Sequence, residues 1–291
     1  MKVLVDADMI GHEVGHLRYN EKDEKGNDLI DEETGRVVKG ELFPIDLVCE
    51  IAKGRFLSIV IGAQAGGWKG FLTKGRHYRH ELATLLPYKG HREGQERNNV
   101  DLVKDSLARD LGCEWCTDRE ADDAMATEAW QDLVDVGSEL GWDDDTLRSY
   151  TNIVIASRDK DLDTVPGWKY KWSLKGAEDK QGGEAYWVSI VQAFRNFYTQ
   201  LLTGDSADNI KGLYGVGAKS AWVKQVQEME DEEEMYEHVR EKYIKHYASY
   251  ADKFLKECAS LLHMQRRKDD EWLPPPERDE HYWFLDPKEK K

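Results

Sequence analysis

The sequence predicts an α/β fold in which helices cover both faces of a mostly parallel central sheet. Three short apolar runs, at residues 2–5, 56–61 and 152–157, are typical of buried strands. Stretches with helical apolar spacing separate these runs, and strands that alternate with helices favour parallel pairing. In such a sheet the site lies beyond the carboxyl ends of the strands, where we expect Asp6 and Asp159.

The remaining elements follow from similar patterns. Residues 19–43 are polar and rich in turn-forming residues, which predicts an exposed hairpin about residues 33–36. After Ile190 the pattern is helical, so we expect two units, residues 1–190 and 191–291, the second ending in a loose tail from the prolines at 274–276. Further predicted elements are helices at 45–53 and 119–140, a short strand at 113–117, and weaker strands at 168–172 and 186–190.

Charge is distributed unevenly along the chain. The 41 basic and 57 acidic residues give a net charge of −16, which argues against a tight nucleic-acid binder. Between Lys69 and Arg92, however, six basic residues accompany a single acid, a local patch that suits an enzyme that must release DNA. No apolar run reaches the ~20 residues of a membrane span, and the N-terminus lacks the pattern of a signal peptide. Four cysteines without a disulfide or zinc pattern favour a reducing cytoplasm.

Residues 202–221 combine an acidic pair with a glycine-rich loop. Asp205 and Asp208 are spaced i and i+3, which predicts that both carboxylates share one face of a helical turn. Glycines let a backbone approach a ligand closely, and the amides at the start of the next helix attract phosphate. The stretch therefore predicts a metal-binding end beside a seat for a phosphate backbone. The loop and the start of the helix comprise Lys211, Gly212, Gly215, Gly217, Lys219 and Ser220.

Acidic side chains recur at four places where strands end or helices begin. Eight carboxylates gathered at one edge of a sheet require cations among them, because like charges repel. Hard oxygen ligands without neighbouring histidine or thiol select Mg²⁺ or Mn²⁺, and the usual task of such a site is two-metal hydrolysis of a phosphodiester. The candidate ligands are Asp6, Glu120, Asp122, Asp123, Asp159, Asp161, Asp205 and Asp208.

Five motifs, in order, make the sequence resemble the bacteriophage 5′-exonucleases and flap endonucleases of the 5′-nuclease superfamily. The motifs are VDADM at the first strand, YKGHR at 88–92, EADD at 120–123, SRDKDLDT at 157–164 and GDSADNIKGLYGVGAKS at 204–220. The resemblance implies a PIN-like sheet in a catalytic unit, a helical arch at about residues 77–112, and a helix–three-turn–helix at about residues 202–226 that grips duplex DNA. We expect a monomer that acts on DNA with a 5′ end, nick or flap, or on RNA paired to DNA, in the cytoplasm of a host cell.

The resemblance also implies roles for individual residues. Lys89 and Arg92, at the base of the arch, would polarise the scissile phosphate, and Tyr88 would stack on a base near the cut. Residues 212–217 would offer backbone groups to a potassium ion that bridges to DNA phosphate. A first metal ion would bind Asp6, Glu120, Asp122 and Asp123, and a second would bind Asp159, Asp161, Asp205 and Asp208, with Asp123 close to both. The implied DNA contacts are Arg79, Tyr88, Lys211, Gly212, Gly215, Gly217, Lys219 and Ser220.

One departure from the family concerns the predicted second strand. The family often carries a carboxylate just past that strand, where this sequence has Ala63. Asp8 lies two residues after Asp6, so both side chains point the same way if the strand continues. We hypothesise that Asp8 partly replaces the missing acid as a ligand. An equally good interpretation is that Asp8 caps the helix that begins near Met9.

Two other classes of function remain as alternatives. His12, Glu13 and His16 spell HExxH, the signature of a zinc metalloprotease. That function needs a helix through all three residues and a third ligand, and no matching ligand motif follows. A non-catalytic DNA-binding module would keep the glycine loop but would not need the carboxylates. The nuclease interpretation accounts for both features.

Overall fold

Within residues 1–173 and 183–278, which the computed structural model describes, the chain forms ten strands and ten α-helices. The strands are β1 (Lys2–Asp6), β2 (Arg18–Asn20), β3 (Lys39–Leu42), β4 (Gly67–Thr73), β5 (Glu114–Cys116), β6 (Ile153–Ala156), β7 (Gly167–Lys171), β8 (Glu184–Val188), β9 (Gly204–Asp205) and β10 (Ile210–Lys211). The helices are α1 (Ala7–Gly15), α2 (Ile45–Gly62), α3 (Arg79–Leu82), α4 (Val100–Leu111), α5 (Ala121–Leu140), α6 (Asp144–Tyr150), α7 (Ile190–Thr203), α8 (Ala221–Glu228), α9 (Glu232–Tyr247) and α10 (Ala251–Leu262).

The central sheet has six strands in the order β5, β4, β1, β6, β7, β8. All neighbours are parallel except the last pair, in which β8 runs antiparallel to β7. This arrangement confirms the predicted, mostly parallel sheet. The chain winds outward from β1 to β4 and β5, and then returns to β6 on the other side of β1. A crevice is therefore expected at the carboxyl ends of β1 and β6, where the direction of winding changes.

Side chains of β1 alternate between the two faces of the sheet. Val3 and Val5 pack in a core with residues of α1, α2 and α4, whereas Leu4 packs with residues of α5 on the other face. All three side chains are fully buried. Helices therefore cover both faces of the sheet, as the sequence predicted.

The strand predicted at residues 56–61 is wrong, because these residues lie in helix α2. Its buried side chains include Val48, Phe56 and Ile59, which share one face of the helix, whereas Ile61 is 76% exposed. A short apolar run rich in β-branched residues does not by itself distinguish a buried helix from a strand. On this side of β1 the neighbouring strand is instead β4.

The other predicted strands and helices are confirmed, with shifted ends. In residues 19–43, β2 pairs antiparallel with β3, and a bridge between Ile30 and Val37 continues the hairpin towards its tip. The predicted helices correspond to α5 and the first half of α2, and the remaining predicted strands correspond to β5, β6, β7 and β8.

The segment at residues 77–112 contains less helix than the resemblance implied for an arch. Helix α3 has four residues, and residues 83–99 carry only a short 3₁₀ turn at Gly90–Arg92. Helix α4 packs against α1 and α2, so it belongs to the helical layer on one face of the sheet. The chain that joins α3 to α4 past the carboxyl edge is therefore mostly non-helical.

Helices α7 to α10 surround a second core that includes Leu201, Val223 and Val239. Tyr88, from the segment between α3 and α4, inserts into this core. The structure does not bear out a loose tail as far as residue 278, because a 3₁₀ turn at Pro275–Glu277 precedes an ion pair of 2.6 Å between Arg278 and Glu232. The rest of the predicted tail, residues 279–291, lies outside the described residues. No helix in the described part of the chain is both long and apolar enough to cross a membrane.

Candidate functional site

The carboxyl ends of β1 and β6 meet, and one hydroxyl group joins their acidic residues. Asp6 ends β1 and caps α1, because its Oδ1 accepts the backbone N–H of Met9 at 3.0 Å. Its Oδ2 accepts a hydrogen bond of 2.7 Å from the hydroxyl of Ser157, just after β6. The oxygen of Ser157 in turn accepts the backbone N–H of Asp159 at 3.0 Å. Asp6 is 3% exposed, so the sheet edge holds it as a fixed, buried group.

Asp122 and Asp159 line a cleft of about 260 Å³ beside this edge and have few protein partners. Within residues 1–173 and 183–278, no hydrogen bond or ion pair engages the carboxylate of Asp122. Among the described residues, the carboxylate of Asp159 accepts only the backbone N–H of Asp161, at 2.9 Å. Both carboxylates are therefore available to a ligand.

Burial and mutual repulsion favour the protonated form of several carboxyl groups in and beside the cleft. Burial, with the nearby charge of Asp8, raises the pKa of Asp6 to about 7. Burial and the charge of Asp159 raise the pKa of Asp161 to about 8, and burial raises the pKa of Asp122 well above its ordinary value. Such shifts indicate negative charge that the protein itself does not neutralise.

Arg79 neutralises the other two acids of the EADD motif. Its side chain is 1% exposed. It donates five hydrogen bonds: one to Glu120, one to each oxygen of Asp123, and one to each of two backbone carbonyls at the end of α10. Asp123 has no exposed surface and also accepts the backbone N–H of Gln265 at 3.0 Å. This arrangement suits neither the DNA contact expected of Arg79 nor the metal role expected of Asp123, because both side chains are saturated inside the protein.

Three residues of the YKGHR motif contact Glu120 and Asp208 from the opposite wall of the cleft. The ammonium of Lys89 is ion-paired with Glu120 and lies 3.6 Å from Asp208, and Arg92 lies 3.1 Å from Asp208. The hydroxyl of Tyr88 lies 2.9 Å from Glu120 and 2.5 Å from Asp208. Tyr88 is only 5% exposed, because its ring lies in the second core, formed by α7 to α10. It is therefore not placed to stack on a base as predicted. Lys89 and Arg92 do line the cleft.

Asp205 and Asp208 lie in a short hairpin and not in the helical turn that their spacing predicted. Strand β9 pairs with β10, and Asp205 Oδ1 accepts the backbone N–H groups of Ala207 and Asp208 at 2.7 and 3.2 Å. Burial opposes the ionisation of Asp205, but the ammonium of Lys160, at 2.9 Å, lowers its pKa below the ordinary value. Asp205 is therefore a carboxylate that a lysine already neutralises.

The glycines of residues 204–217 lie in two different environments. Gly204 (φ +72°) and Gly212 pass so close that a Cβ on either would lie 2.2 Å from backbone atoms across the hairpin. The fold itself therefore requires Gly212. Gly215 (φ +77°) and Gly217 lie in an exposed loop, where a Cβ would meet nothing within 4 Å. Their role towards phosphate stays a prediction.

Lys211, Lys219 and Ser220 flank this loop between α7 and α8. The hydroxyl oxygen of Ser220 caps α8 by accepting the backbone N–H of Val223 at 3.2 Å. Lys211 and Lys219 are exposed, and neither is ion-paired with an acid in the part of the chain that the structure describes. The loop therefore combines an open backbone with positive charge at the surface.

Asp8 does not cap α1, and its carboxylate lies at the carboxyl end of β4 and not beside Ala63. Ala63 follows α2 near the amino ends of the strands, since Gly66 bonds to Met1, and Asp6 is the residue that caps α1. The oxygens of Asp8 instead accept the backbone N–H of Thr73 at 3.0 Å, at the carboxyl end of β4. Asp8 therefore does supply a carboxylate at the end of the strand next to β1. Its role as a metal ligand stays a prediction.

We expect Asp8→Ala to destabilise the protein by about 3 kcal/mol or more, because it leaves a buried ammonium without its partner. Lys104 lies 2.8 Å from Asp8, and its side chain is only 6% exposed. The matched double variant Asp8→Ala/Lys104→Met should recover much of this loss. Urea unfolding of the two variants and the wild type measures the difference. Equal stability of the single variant and the wild type would show that the ion pair contributes nothing.

The HExxH residues do not form the predicted type of zinc site. Helix α1 ends at Gly15, so His16 lies past the helix. Glu13 is ion-paired with Arg55 and accepts a hydrogen bond of 3.0 Å from Trp172 Nε1. Glu13 is therefore committed to structural partners and is not free to activate a zinc-bound water.

The acidic residues fit hard divalent cations in their chemistry, although they are not arranged around a preformed metal cage. Across residues 1–173 and 183–278, no three His, Cys, Asp or Glu side chains are grouped so that they could hold a metal ion as they stand. Lysine and arginine side chains neutralise part of the set, whereas Asp6, Asp122 and Asp159 have no cationic side-chain partner within those ranges. Buried carboxylates without such partners are the donors that Mg²⁺ and Mn²⁺ prefer.

Reasoning from the sequence missed three residues that shape this site: Ser157, Lys160 and Gln200. Ser157 and Lys160 lie within SRDKDLDT, where only the acids were considered. Gln200 of α7 donates a short hydrogen bond from Nε2 to the carboxylate of Asp161. A signal for it existed, because Gln200 shares the apolar face of α7 with Phe197, and a buried amide requires a polar partner.

No protein-family model matches the chain, and no curated protein is significantly similar to it in sequence. Among solved structures, a bacteriophage T5 flap endonuclease complex with DNA and metal ions is 16% identical with a TM-score of 0.47, over 90% of this chain and 98% of that one. The catalytic core of Rad2 in complex with DNA substrate is 13% identical with a TM-score of 0.43, over 87% of this chain and 67% of that one. Human GEN1 in complex with Holliday junction DNA is 14% identical with a TM-score of 0.44, over 88% of this chain and 56% of that one.

Proposed function

We propose that the chain is a nuclease that depends on a divalent cation and hydrolyses DNA phosphodiesters at or near 5′ ends. The observation that carries this proposal is that Asp122 and Asp159, from two separate segments, line one cleft with Lys89 and Arg92. Asp6, from a third segment, is linked to Asp159 through Ser157. Unneutralised carboxylates favour a divalent cation, and the two basic side chains favour a phosphate. The five motifs of the sequence support the same assignment.

The proposed ligands fall into two groups around the cleft. Asp6, Glu120 and Asp122 would hold a first Mg²⁺ or Mn²⁺ ion, and Asp159, Asp161, Asp205 and Asp208 would hold a second. When bound, such a pair supplies an activated water and stabilises the leaving oxygen. Asp123 is left out of this set because Arg79 saturates it.

The chain's own basic residues would bind and orient the substrate. In this structure Lys89 and Arg92 neutralise Glu120 and Asp208, so both are already held at the cleft. Once cations take over that neutralisation, the two side chains can donate to the scissile phosphate and stabilise the charge that develops there. Duplex DNA would lie along the exposed loop at residues 214–219, with Lys211 and Lys219 on its phosphates and a potassium ion against the backbone of the loop.

The direct test uses end-labelled duplex, nicked and 5′-flapped substrates, including one with an RNA strand paired to DNA. We expect cleavage that requires Mg²⁺ or Mn²⁺ and yields products cut from or near the 5′ end. The lengths of the labelled products separate stepwise exonuclease action from release of an intact flap. A protein that cleaves none of these substrates with either cation would contradict the proposal.

We expect Gly217→Val to weaken binding of duplex DNA by about tenfold or more, the loss expected for one hydrogen bond to a charged group. A side chain at this position would hold the backbone away from the phosphate. Because a Cβ at Gly217 meets open space in the protein, the variant should unfold at the wild-type temperature. Gly212→Ala is the contrasting control and should lower that temperature, since its Cβ clashes with backbone. Normal duplex binding by Gly217→Val in Ca²⁺ would show that the loop does not seat phosphate.

A further inference from the structure

Helix α7 makes two hydrogen bonds to the acidic turn that follows β6, residues 157–163. The side-chain amide of Asn196 donates to the backbone carbonyl of Asp163 at 2.7 Å. One turn later, Gln200 Nε2 donates a short hydrogen bond to Asp161 Oδ1. The first contact holds the backbone of the turn, and the second holds a carboxylate that the proposed function assigns to a cation. Gln200 therefore determines which way the carboxylate of Asp161 faces.

Half of the amide of Gln200 is unused. Gln200 is only 7% exposed, and its Oε1 is buried with no hydrogen-bond partner in residues 1–173 and 183–278. A buried carbonyl oxygen without a partner costs free energy unless something satisfies it, commonly about 1–3 kcal/mol. The opposite orientation of the amide would place this oxygen against the oxygen of Asp161, so that two acceptors would face each other. In the observed orientation the amide donates and Asp161 Oδ1 accepts.

The position of this oxygen suits a neutral ligand. The nitrogen of the amide bonds to Asp161, and the oxygen is bonded to the same carbon as that nitrogen. We therefore expect an ion on the carboxylate of Asp161 to meet Oε1, directly or through one water. Divalent cations with hard-ligand preference accept amide oxygens alongside carboxylates. A neutral oxygen would add a ligand without adding to the repulsion among Asp159, Asp161 and Asp205.

We propose that Gln200 is a positioning residue for Asp161 and presents its Oε1 to the cation that Asp159 and Asp161 bind. This inference rests on the proposed function, because it assumes that a divalent cation binds there. Residues around metal ligands typically change metal affinity by about 10- to 100-fold when they are removed. The inference therefore concerns cation affinity, which can be measured without DNA and without turnover.

The experiment titrates Mn²⁺, followed by electron paramagnetic resonance, into the full-length wild type and three variants. Gln200→Met keeps the size but removes both polar atoms, and we expect about 10- to 100-fold weaker binding. Gln200→Glu loses the donor but keeps an oxygen at the same place, and it should bind Mn²⁺ at least as tightly as the wild type. Gln131→Met makes the same change on α5, where the amide of Gln131 donates to Asp135 at an exposed position outside the cleft, and it should not change affinity.

A double variant separates positioning from general damage. In an Asp161→Ala background, which removes the acceptor that holds Gln200, Gln200→Met should cause little further loss of Mn²⁺ affinity if Gln200 acts through Asp161 and its ion. If Gln200→Met fails to fold, Gln200→Asn, which is one carbon too short to reach Asp161, should show the same loss.

Each outcome bears on one assumption. Wild-type affinity in Gln200→Met would overturn the whole inference, and affinity in Gln200→Glu as weak as in Gln200→Met would overturn the role of Oε1. A loss in the Asp161→Ala background as large as that in the wild type would show that Gln200 does not act through Asp161. A wild type that binds no Mn²⁺ would overturn the proposed function itself, a result distinct from equal binding by the wild type and Gln200→Met.

Discussion

Replacing Asp159 by asparagine should abolish DNA cleavage while the protein still binds the same DNA in Ca²⁺. The carboxylate of Asp159 accepts one backbone N–H, from Asp161, and the amide oxygen of asparagine can accept that bond equally well. The substitution therefore removes a negative charge without breaking a structural contact. We expect the cleavage rate at saturating Mg²⁺ to fall by about 10³-fold, the size of effect that follows the loss of one key electrostatic group.

The matched control is Asp163→Asn, four residues further along the same motif. Asp163 accepts a hydrogen bond of 2.7 Å from the hydroxyl of Tyr186 and does not line the cleft. The Asp163→Asn variant should cleave end-labelled DNA at the wild-type rate. Near-wild-type turnover by Asp159→Asn would remove Asp159 from the mechanism. Loss of DNA binding together with cleavage would show that the change damages the fold or the DNA surface and not the reacting centre.

The alternation of strands with helices, and the mostly parallel sheet that this alternation favours, could be predicted from the sequence. The runs at β1 and β6 end in acidic or polar residues, and parallel pairing brings their carboxyl ends together, so Asp6 and Asp159 meet through Ser157. The strand prediction for residues 56–61 was wrong because both faces of α2 carry apolar side chains, so its sequence lacks a clear helical periodicity. That error also misplaced the missing carboxylate, since the end of β4 is Thr73 and not Ala63.

The neutralisation of individual acids could not be predicted, because it depends on contacts between residues far apart in sequence. Arg79 lies 44 residues before Asp123 and reads in sequence as part of a basic patch, yet the fold buries it against the EADD acids. Tyr88 likewise sits among basic residues, but its ring fills the C-terminal core. Sequence motifs identified the acids, whereas burial and ion pairing determine which of them remain free for a cation.

A bound cation should change how the free energy of unfolding depends on pH, because Asp161 is ionised only with difficulty in the folded protein. Burial and the charge of Asp159 raise the pKa of Asp161 from 3.8 to about 8. Because the unfolded chain releases this proton at a lower pH, protonation of Asp161 favours the folded state. The stability that it contributes is fully present below about pH 4 and is lost as pH rises through about 8. For a group whose pKa is raised this far, the loss by pH 9 is about 6 kcal/mol at most.

Asp161→Asn isolates this contribution, because its amide oxygen still accepts the bond from Gln200 but cannot be ionised. In EDTA, the variant should match the wild type at pH 4 and be increasingly more stable up to pH 9. Lys169, whose pKa burial lowers to about 7, acts in the opposite direction above pH 7, and the difference between the two proteins cancels its effect. Saturating Mg²⁺ should reverse the order, since ligand binding stabilises the wild type more than a variant with one carboxylate fewer. Urea unfolding across this pH range, with and without Mg²⁺, measures both effects. If the stabilities of the two proteins in EDTA changed with pH in the same way, burial and the charge of Asp159 would not oppose the ionisation of Asp161. That result would remove the electrostatic reason for a cation at this position.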